Sequence, residues 1–232
     1  MLKNSIAILT LFCGLAACAT THTPTEHGAA ATHTDHPSGV AAEVALDLLA
    51  KGNQRYVSGH LEHPRQSPGR RTELANTQVP SAIIIGCSDS RTSPELVFDQ
   101  GLGDLFVIRA AGNVIDDHAL GSAEYATEHL GTKLIVVLGH ERCGAVNAAR
   151  DSVASNSEPH DHIASIVASI RPAVDATKGS DAEATCRANV KDVVAALRSS
   201  EPVLRGMVDS KQIQVVGAYY DLDTGVVTFL DK

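Results

Sequence analysis

Three runs of apolar residues punctuate the middle of the chain: Ile83-Ile84-Ile85, Leu105-Phe106-Val107-Ile108 and Leu134-Ile135-Val136-Val137-Leu138. They are short and do not alternate with polar residues, which is the pattern of strands buried on both faces of a parallel sheet. Helical spacing fills the intervals. Val44, Leu48 and Leu49 share one helical face, and that segment is expected to stop near Gly52-Asn53 or just beyond. Ser93-Pro94-Glu95 reads as an N-cap, a proline at the first helical position and an acid in the first turn. Further helices are expected from Leu120 to Leu130, closed by Gly131, then over Pro159 to Val174 and Glu183 to Leu197. A last strand, Ile213 to Tyr219, runs through Asp223-Thr224-Gly225 into Val226 to Leu230 as a hairpin-like ending. Strands alternating with helices predict an α/β domain with a mostly parallel central sheet flanked by helices, and the hairpin adds an antiparallel edge. No internal repeat and no second globular domain is visible.

Composition narrows the possibilities. The 232 residues suffice for one domain with a core of its own, and with no Trp and 3% aromatics that core must be built from Val, Ile, Leu and Ala. The formal net charge of −8 and the lack of any basic cluster argue against nucleic acid as a partner, and against a membrane surface held by charge.

The first 17 residues read as a leader. Lys3 supplies a short positive region, and Ile6 to Ala17 form an apolar stretch too short to span a bilayer comfortably. The stretch ends in Leu15-Ala16-Ala17-Cys18, which resembles the lipobox of bacterial lipoprotein signals. That resemblance implies cleavage before Cys18 and a lipid on its thiol. It also implies a periplasmic protein held by the lipid alone, with Ala19 favouring the outer over the inner membrane. Residues 18–40 read as a tether rich in Thr, Ala, Pro, Gly and His without apolar periodicity, leaving residues 41–232 for the globular domain. His22, His27, His33 and His36 in the tether are read as part of a solvated spacer, with a loose metal-collecting tail as the alternative.

Two predicted strands end in unusual residues. The first runs into Gly86-Cys87-Ser88-Asp89-Ser90-Arg91, the third into Gly139-His140-Glu141-Arg142-Cys143-Gly144. Ligands of open α/β sheets bind beyond the carboxyl ends of the strands, so both segments lie where a site should form. Cys87, His140 and Cys143 offer two thiolates and an imidazole, a set suited to zinc that leaves the fourth tetrahedral position open. A Cys87–Cys143 disulfide competes, since the leader sends the chain to an oxidising compartment. Asp89 and Arg91 would have no evident role beside such a disulfide. Cys186, in a helical stretch, is read as half-buried and unpaired, and Cys13 is discarded with the leader.

The first of these segments, Cys87 to Arg91, resembles one signature of the β-class carbonic anhydrases, and Gly139 to Ala145 resembles the other. The likeness extends from about Val44 to Leu230, including Gly103 to Arg109 and Val216 to Asp221. It implies reversible hydration of carbon dioxide to bicarbonate, with one zinc ion per chain on Cys87, His140 and Cys143. Asp89 would accept a hydrogen bond from the zinc-bound water or hydroxide, and Arg91 would hold Asp89 off the metal. Gln78, Phe106 and Tyr125 match positions that line the substrate pocket in the plant-like branch, where the pocket lies at a dimer interface. A homodimer or higher assembly is therefore implied. Another branch closes its site at low pH through a bicarbonate pocket that uses a Trp, and this chain has none. A permanently open site is expected here. Two rivals remain: a hydrolase of carbon disulfide or carbonyl sulfide on the same ligands, and a zinc-binding lipoprotein using the His-bearing tether. For the latter, Asp89 and Arg91 would be superfluous.

Overall fold

The computed structural model describes residues 39–157 and 159–230. The leader, Cys18 and the four tether histidines lie outside the described residues. Helix α1 (Ala42–Ser58) and the short α2 (Pro68–Glu73) precede strand β1 (Ala82–Gly86). Then come α3 (Pro94–Val97), β2 (Leu105–Arg109), a 3-10 turn (Ala111–Asn113), α4 (Asp117–Glu128) and β3 (Leu134–His140). Four helices follow, α5 (Gly144–Ser155), α6 (Ile163–Ala176), α7 (Ala182–Ser199) and α8 (Leu204–Asp209). Strands β4 (Gln214–Tyr220) and β5 (Val227–Phe229) end the domain. The five strands lie in the order β2-β1-β3-β4-β5, the first four parallel and β5 antiparallel to β4. This is the expected α/β sheet with a hairpin edge.

Side chains alternate across the sheet and meet a helical layer on each face. On one face Ile84, Leu134, Val136, Leu138 and Val216 bury against Leu49 of α1 and Phe98. On the other, Ile83, Ile85, Ile135, Val137 and Val215 bury against residues of α4 and α7. Both faces being covered explains why β1 and β3 read as unbroken apolar runs. Among the described residues no helix is long and apolar enough to cross a membrane.

Several expectations are corrected. Helix α1 does not stop at Gly52-Asn53 but continues to Ser58. A Cβ on Gly52 would lie 1.7 Å from the Phe98 carbonyl oxygen, so the glycine serves close approach rather than termination. Asn53 is turned inward, where its Nδ2 donates to the carbonyls of Val97 (3.1 Å) and Gly225 (2.8 Å) and its Oδ1 accepts from the Val227 N–H (2.9 Å). Ser93 begins α3, yet its hydroxyl makes no capping bond and the helix lasts four residues. The strand expected to be buried at Leu105–Ile108 is only half-buried, because β2 is the sheet's edge. Helix α6 starts at Ile163 rather than Pro159, while α2, α5 and α8 were not anticipated. Gly39, placed in the tether by its composition, is buried and donates its N–H to the Gly131 carbonyl at 3.2 Å.

Asn53 thus ties α1 to the end of α3 and to the C-terminal hairpin. Asn53→Leu leaves buried carbonyls and one buried N–H unsatisfied and is expected to destabilise the domain by about 3 kcal/mol. Urea denaturation checks this: the midpoint falls, and an unchanged midpoint contradicts the clamp.

Candidate metal centre

Strands β1 and β3 are hydrogen-bonded parallel neighbours with Gly86 opposite Leu138, so their carboxyl ends lie side by side. Cys87 follows β1 directly, His140 is the last residue of β3, and Cys143 immediately precedes α5. Between them Arg142 adopts a left-handed φ of 51°, which turns the chain sharply enough for the helix to start after only three intervening residues. The three potential ligand atoms lie within 4.8 Å of one another, and all three residues are buried. Cys143 stands at the N-cap of α5, where the helix dipole favours a thiolate.

The donor chemistry fits a metal. His140 Nδ1 lies 2.8 Å from the Glu141 carbonyl, an acceptor, so Nδ1 carries the proton and Nε2 presents a lone pair. That Nε2 is buried and has no hydrogen-bond partner. An imidazole lone pair facing two sulfurs is a set suited to zinc. Cys87 and Cys143 are free thiols rather than a disulfide. The Cys87 sulfur accepts the N–H groups of Gly112 (3.2 Å) and Asp89 (3.4 Å). The hydrogen bond shared with Cys143 lowers Cys87 most; burial opposes it, and the N–H groups of Gly112 and Asp89 assist. Cys143, holding the shared proton, is pushed upward. The two sulfurs share a proton beside the imidazole, and metal binding would expel it.

Asp89 is held in a two-pronged grip. Arg91 Nε donates to Oδ1 at 2.9 Å and Nη2 to Oδ2 at 2.7 Å, while the Arg91 backbone N–H reaches Oδ1 at 3.0 Å. These bonds outweigh burial and hold Asp89 well below the usual carboxylate range. Its Oδ2 is 3.9 Å from His140 Nε2, so the ionised carboxylate borders the ligand cluster while it stays on Arg91.

Some supporting residues were not singled out from the sequence. Arg109, at the end of β2, donates to the carbonyls of Cys87 (2.8 Å) and Asp89 (2.7 Å), gripping the loop that carries both a ligand and the acid. Its place at the carboxyl end of a predicted strand was the available signal. Arg142 pairs both its Nη atoms with Asp223 (2.9 and 2.6 Å), and Glu141 Oε2 accepts the Leu222 N–H at 3.1 Å. The hairpin therefore braces the His140–Cys143 turn. Cys186 is buried rather than half-buried, in the same apolar cluster as Cys87 and Cys143, and burial pushes its thiol up to about 11.

The three pocket candidates lie elsewhere in the chain. Gln78 and Tyr125 line one cleft with Leu74 and Leu105, and the rings of Phe106 and Tyr125 are 6.4 Å apart. Neither Cys87, His140 nor Cys143 lines that cleft. Phe106 pairs with Ile83, four residues before Cys87 and so roughly 13 Å away along the strand. Gln78 precedes the amino end of β1.

Known proteins resemble the chain in sequence and in fold. A family model described as carbonic anhydrase matches residues 82–227. Carbonic anhydrase 2 of Mycobacterium tuberculosis is 40% identical over 190 residues, covering 81% of this chain and 92% of that protein. The β-carbonic anhydrase of Coccomyxa superposes with a TM-score of 0.61 at 27% identity, covering 82% of this chain and 83% of its own. A β-carbonic anhydrase of Sordaria macrospora, described as tetrameric, shares the fold with a TM-score of 0.62 at 22% identity, over 81% of this chain and 94% of its own. Two cysteines and a histidine gathered at adjacent strand ends, beside an aspartate–arginine pair and within a matched sequence of this length, place the chain in the β-class carbonic anhydrase family.

Proposed function

We propose that the protein is a zinc enzyme that interconverts carbon dioxide and bicarbonate, with Cys87, His140 and Cys143 as the ligands. The observation that carries this reading is the buried, partnerless Nε2 of His140, within 4.8 Å of two cysteine sulfurs. Zinc bound there would lower the pKa of coordinated water to about 7 and supply a nucleophile at neutral pH, an effect best known from carbonic anhydrases themselves, though two thiolates should leave that water less acidic than three imidazoles would. Asp89, ionised and therefore an acceptor only, accepts a hydrogen bond from an oxygen nucleophile arriving beside the ligands and so turns a lone pair of that oxygen toward carbon dioxide. Arg91 keeps the carboxylate oriented for that task, and Arg109 fixes the loop beneath it.

The substrate pocket is proposed to form between copies of the chain. Gln78, Phe106 and Tyr125 sit along the open edge of β2, far from their own chain's ligands, and a second copy seated on that edge would bring its set to the neighbouring centre. The tetrameric description of the Sordaria macrospora enzyme supports such an assembly.

Stopped-flow hydration of carbon dioxide by the purified protein, with zinc content measured on the same sample, tests the activity. Hydrolysis of carbon disulfide or carbonyl sulfide without hydration of carbon dioxide would contradict it. Cys143→Ala is expected to lose zinc and activity together, whereas Asp89→Asn keeps zinc and loses about 100-fold in kcat. An Asp89→Asn protein with parental kcat would contradict the role of the carboxylate.

The Arg91 grip also governs the pH profile. Asp89, lowered by Arg91, is expected to stay ionised as pH falls from 8 to 5 and to keep its place on the guanidinium. The chain also lacks the Trp of the self-closing branch. The expected kcat/KM declines toward acid along a single ionisation, tenfold per pH unit at its steepest. A decline of two or more protons, or a crystal structure with Asp89 on zinc at neutral pH, would contradict the open-site reading.

Export as a lipoprotein is proposed from Leu15-Ala16-Ala17-Cys18. The mature protein is expected in the membrane fraction with a diacylglyceryl group on Cys18, and Cys18→Ala abolishes that modification. Mass spectrometry of the fractions checks this, and a soluble parental protein with a free Cys18 thiol would contradict it.

A further inference from the structure

Helix α7 carries a buried amide on an otherwise largely apolar stripe. Asn189 is 2% exposed and lies among Cys186, Val190, Val193 and Val194, where a polar side chain is unfavourable unless it is bonded. Its Nδ2 donates to the Gly112 carbonyl at 2.8 Å, across 77 residues of sequence. Gly112 in turn donates its own N–H to the Cys87 sulfur at 3.2 Å.

The turn that holds Gly112 is anchored on both sides of that cysteine. The Ala110 N–H reaches the Gly86 carbonyl and the Ser88 N–H reaches the Ala110 carbonyl, each at 3.2 Å. Gly112 itself has a φ of 72°, and a Cβ there would lie 2.7 Å from Ile170 Cδ1 and 3.0 Å from Ala145 Cβ. Only glycine fits, and glycine is the residue most free to relax out of such a conformation. A bond to its carbonyl removes that freedom and keeps its N–H directed at the sulfur.

We infer that Asn189 is a positioning residue for the Cys87 ligand. Through Gly112 it holds an N–H···S bond in place, and so sets how firmly Cys87 grips the metal and how much charge the sulfur donates to it. The inference rests on Cys87, His140 and Cys143 being the zinc site. Partners of this outer kind are worth 10- to 100-fold in metal affinity.

The test uses the full zinc-loaded protein with Asn189→Leu and Asn189→Ser, and Val193→Ala as a packing control one turn further along α7. Two quantities are read: the rate of zinc transfer to a chromogenic chelator, and the thiolate-to-metal charge-transfer band after Co2+ replaces zinc. Both Asn189 variants are expected to release zinc about tenfold faster and to shift the band to lower energy. Val193→Ala is expected to lower thermal stability and leave release rate and band unchanged. If Asn189→Leu does not fold, Asn189→Ser, which keeps a small polar side chain but cannot reach the carbonyl, carries the test. A parent with one zinc per chain and Asn189 variants at parental rate and band overturn this inference alone, as does Val193→Ala shifting both quantities equally. A parent that holds no zinc overturns the metal centre and this inference with it.

Discussion

Because β1 and β3 run side by side in the same direction, with Gly86 opposite Leu138, Cys87 and His140 leave the sheet at one end and within reach of each other. Everything else at the centre depends on that register. The strands' own side chains specify it weakly, since Ile83, Ile84 and Ile85 present the same chemistry to either face after a one-residue slip. The contacts just beyond the strand oppose a slip. Arg91, on the loop after β1, donates to the Arg142 carbonyl on the loop after β3 at 3.4 Å, while Ala110 and Arg109 fix β1 against β2 in the same way. The polar groups that build the site are therefore also the groups that hold the register.

The same economy appears at the second ligand pair. A left-handed residue between a strand and a helix is strained unless its surroundings hold it, and Arg142 is held by its two-pronged pair with Asp223. The short β5 hairpin, remote from the ligands in sequence, thereby stabilises the turn that sets the spacing of His140 and Cys143. The Glu141 carbonyl selects the His140 tautomer, leaving Nε2 for the metal. Arg91 does for Asp89 what these contacts do for the ligands, keeping a charged group ionised and aimed.

Much of this was legible in the sequence, and the exceptions have physical causes. Strands β1, β3 and β4 were visible because burial on both faces leaves a continuous apolar run. That β2 is an edge was not, since strand order is a tertiary property that an apolar run such as Leu105–Ile108 does not encode. Helix α5 escaped notice because it buries Val146, Ala149 and Ser152, small residues that make no strong stripe. Gly52 and Asn53 looked like a helix end because their chemistry is common there, whereas here one allows close approach and the other clamps three backbone groups. The ligands, Asp89 and Arg91 stood out through residue type at strand ends. Arg109 and Asn189 did not, because each acts on backbone groups whose neighbours only the fold supplies.

The central claim is that one histidine and two cysteines, brought together by that register, form the metal site. X-ray absorption at the zinc edge on the purified protein tests it most directly. The account predicts one zinc per chain with two sulfur neighbours at about 2.3 Å and two nitrogen or oxygen neighbours at about 2.0 Å. A shell of four sulfurs, or one made of nitrogen and oxygen alone, would contradict it.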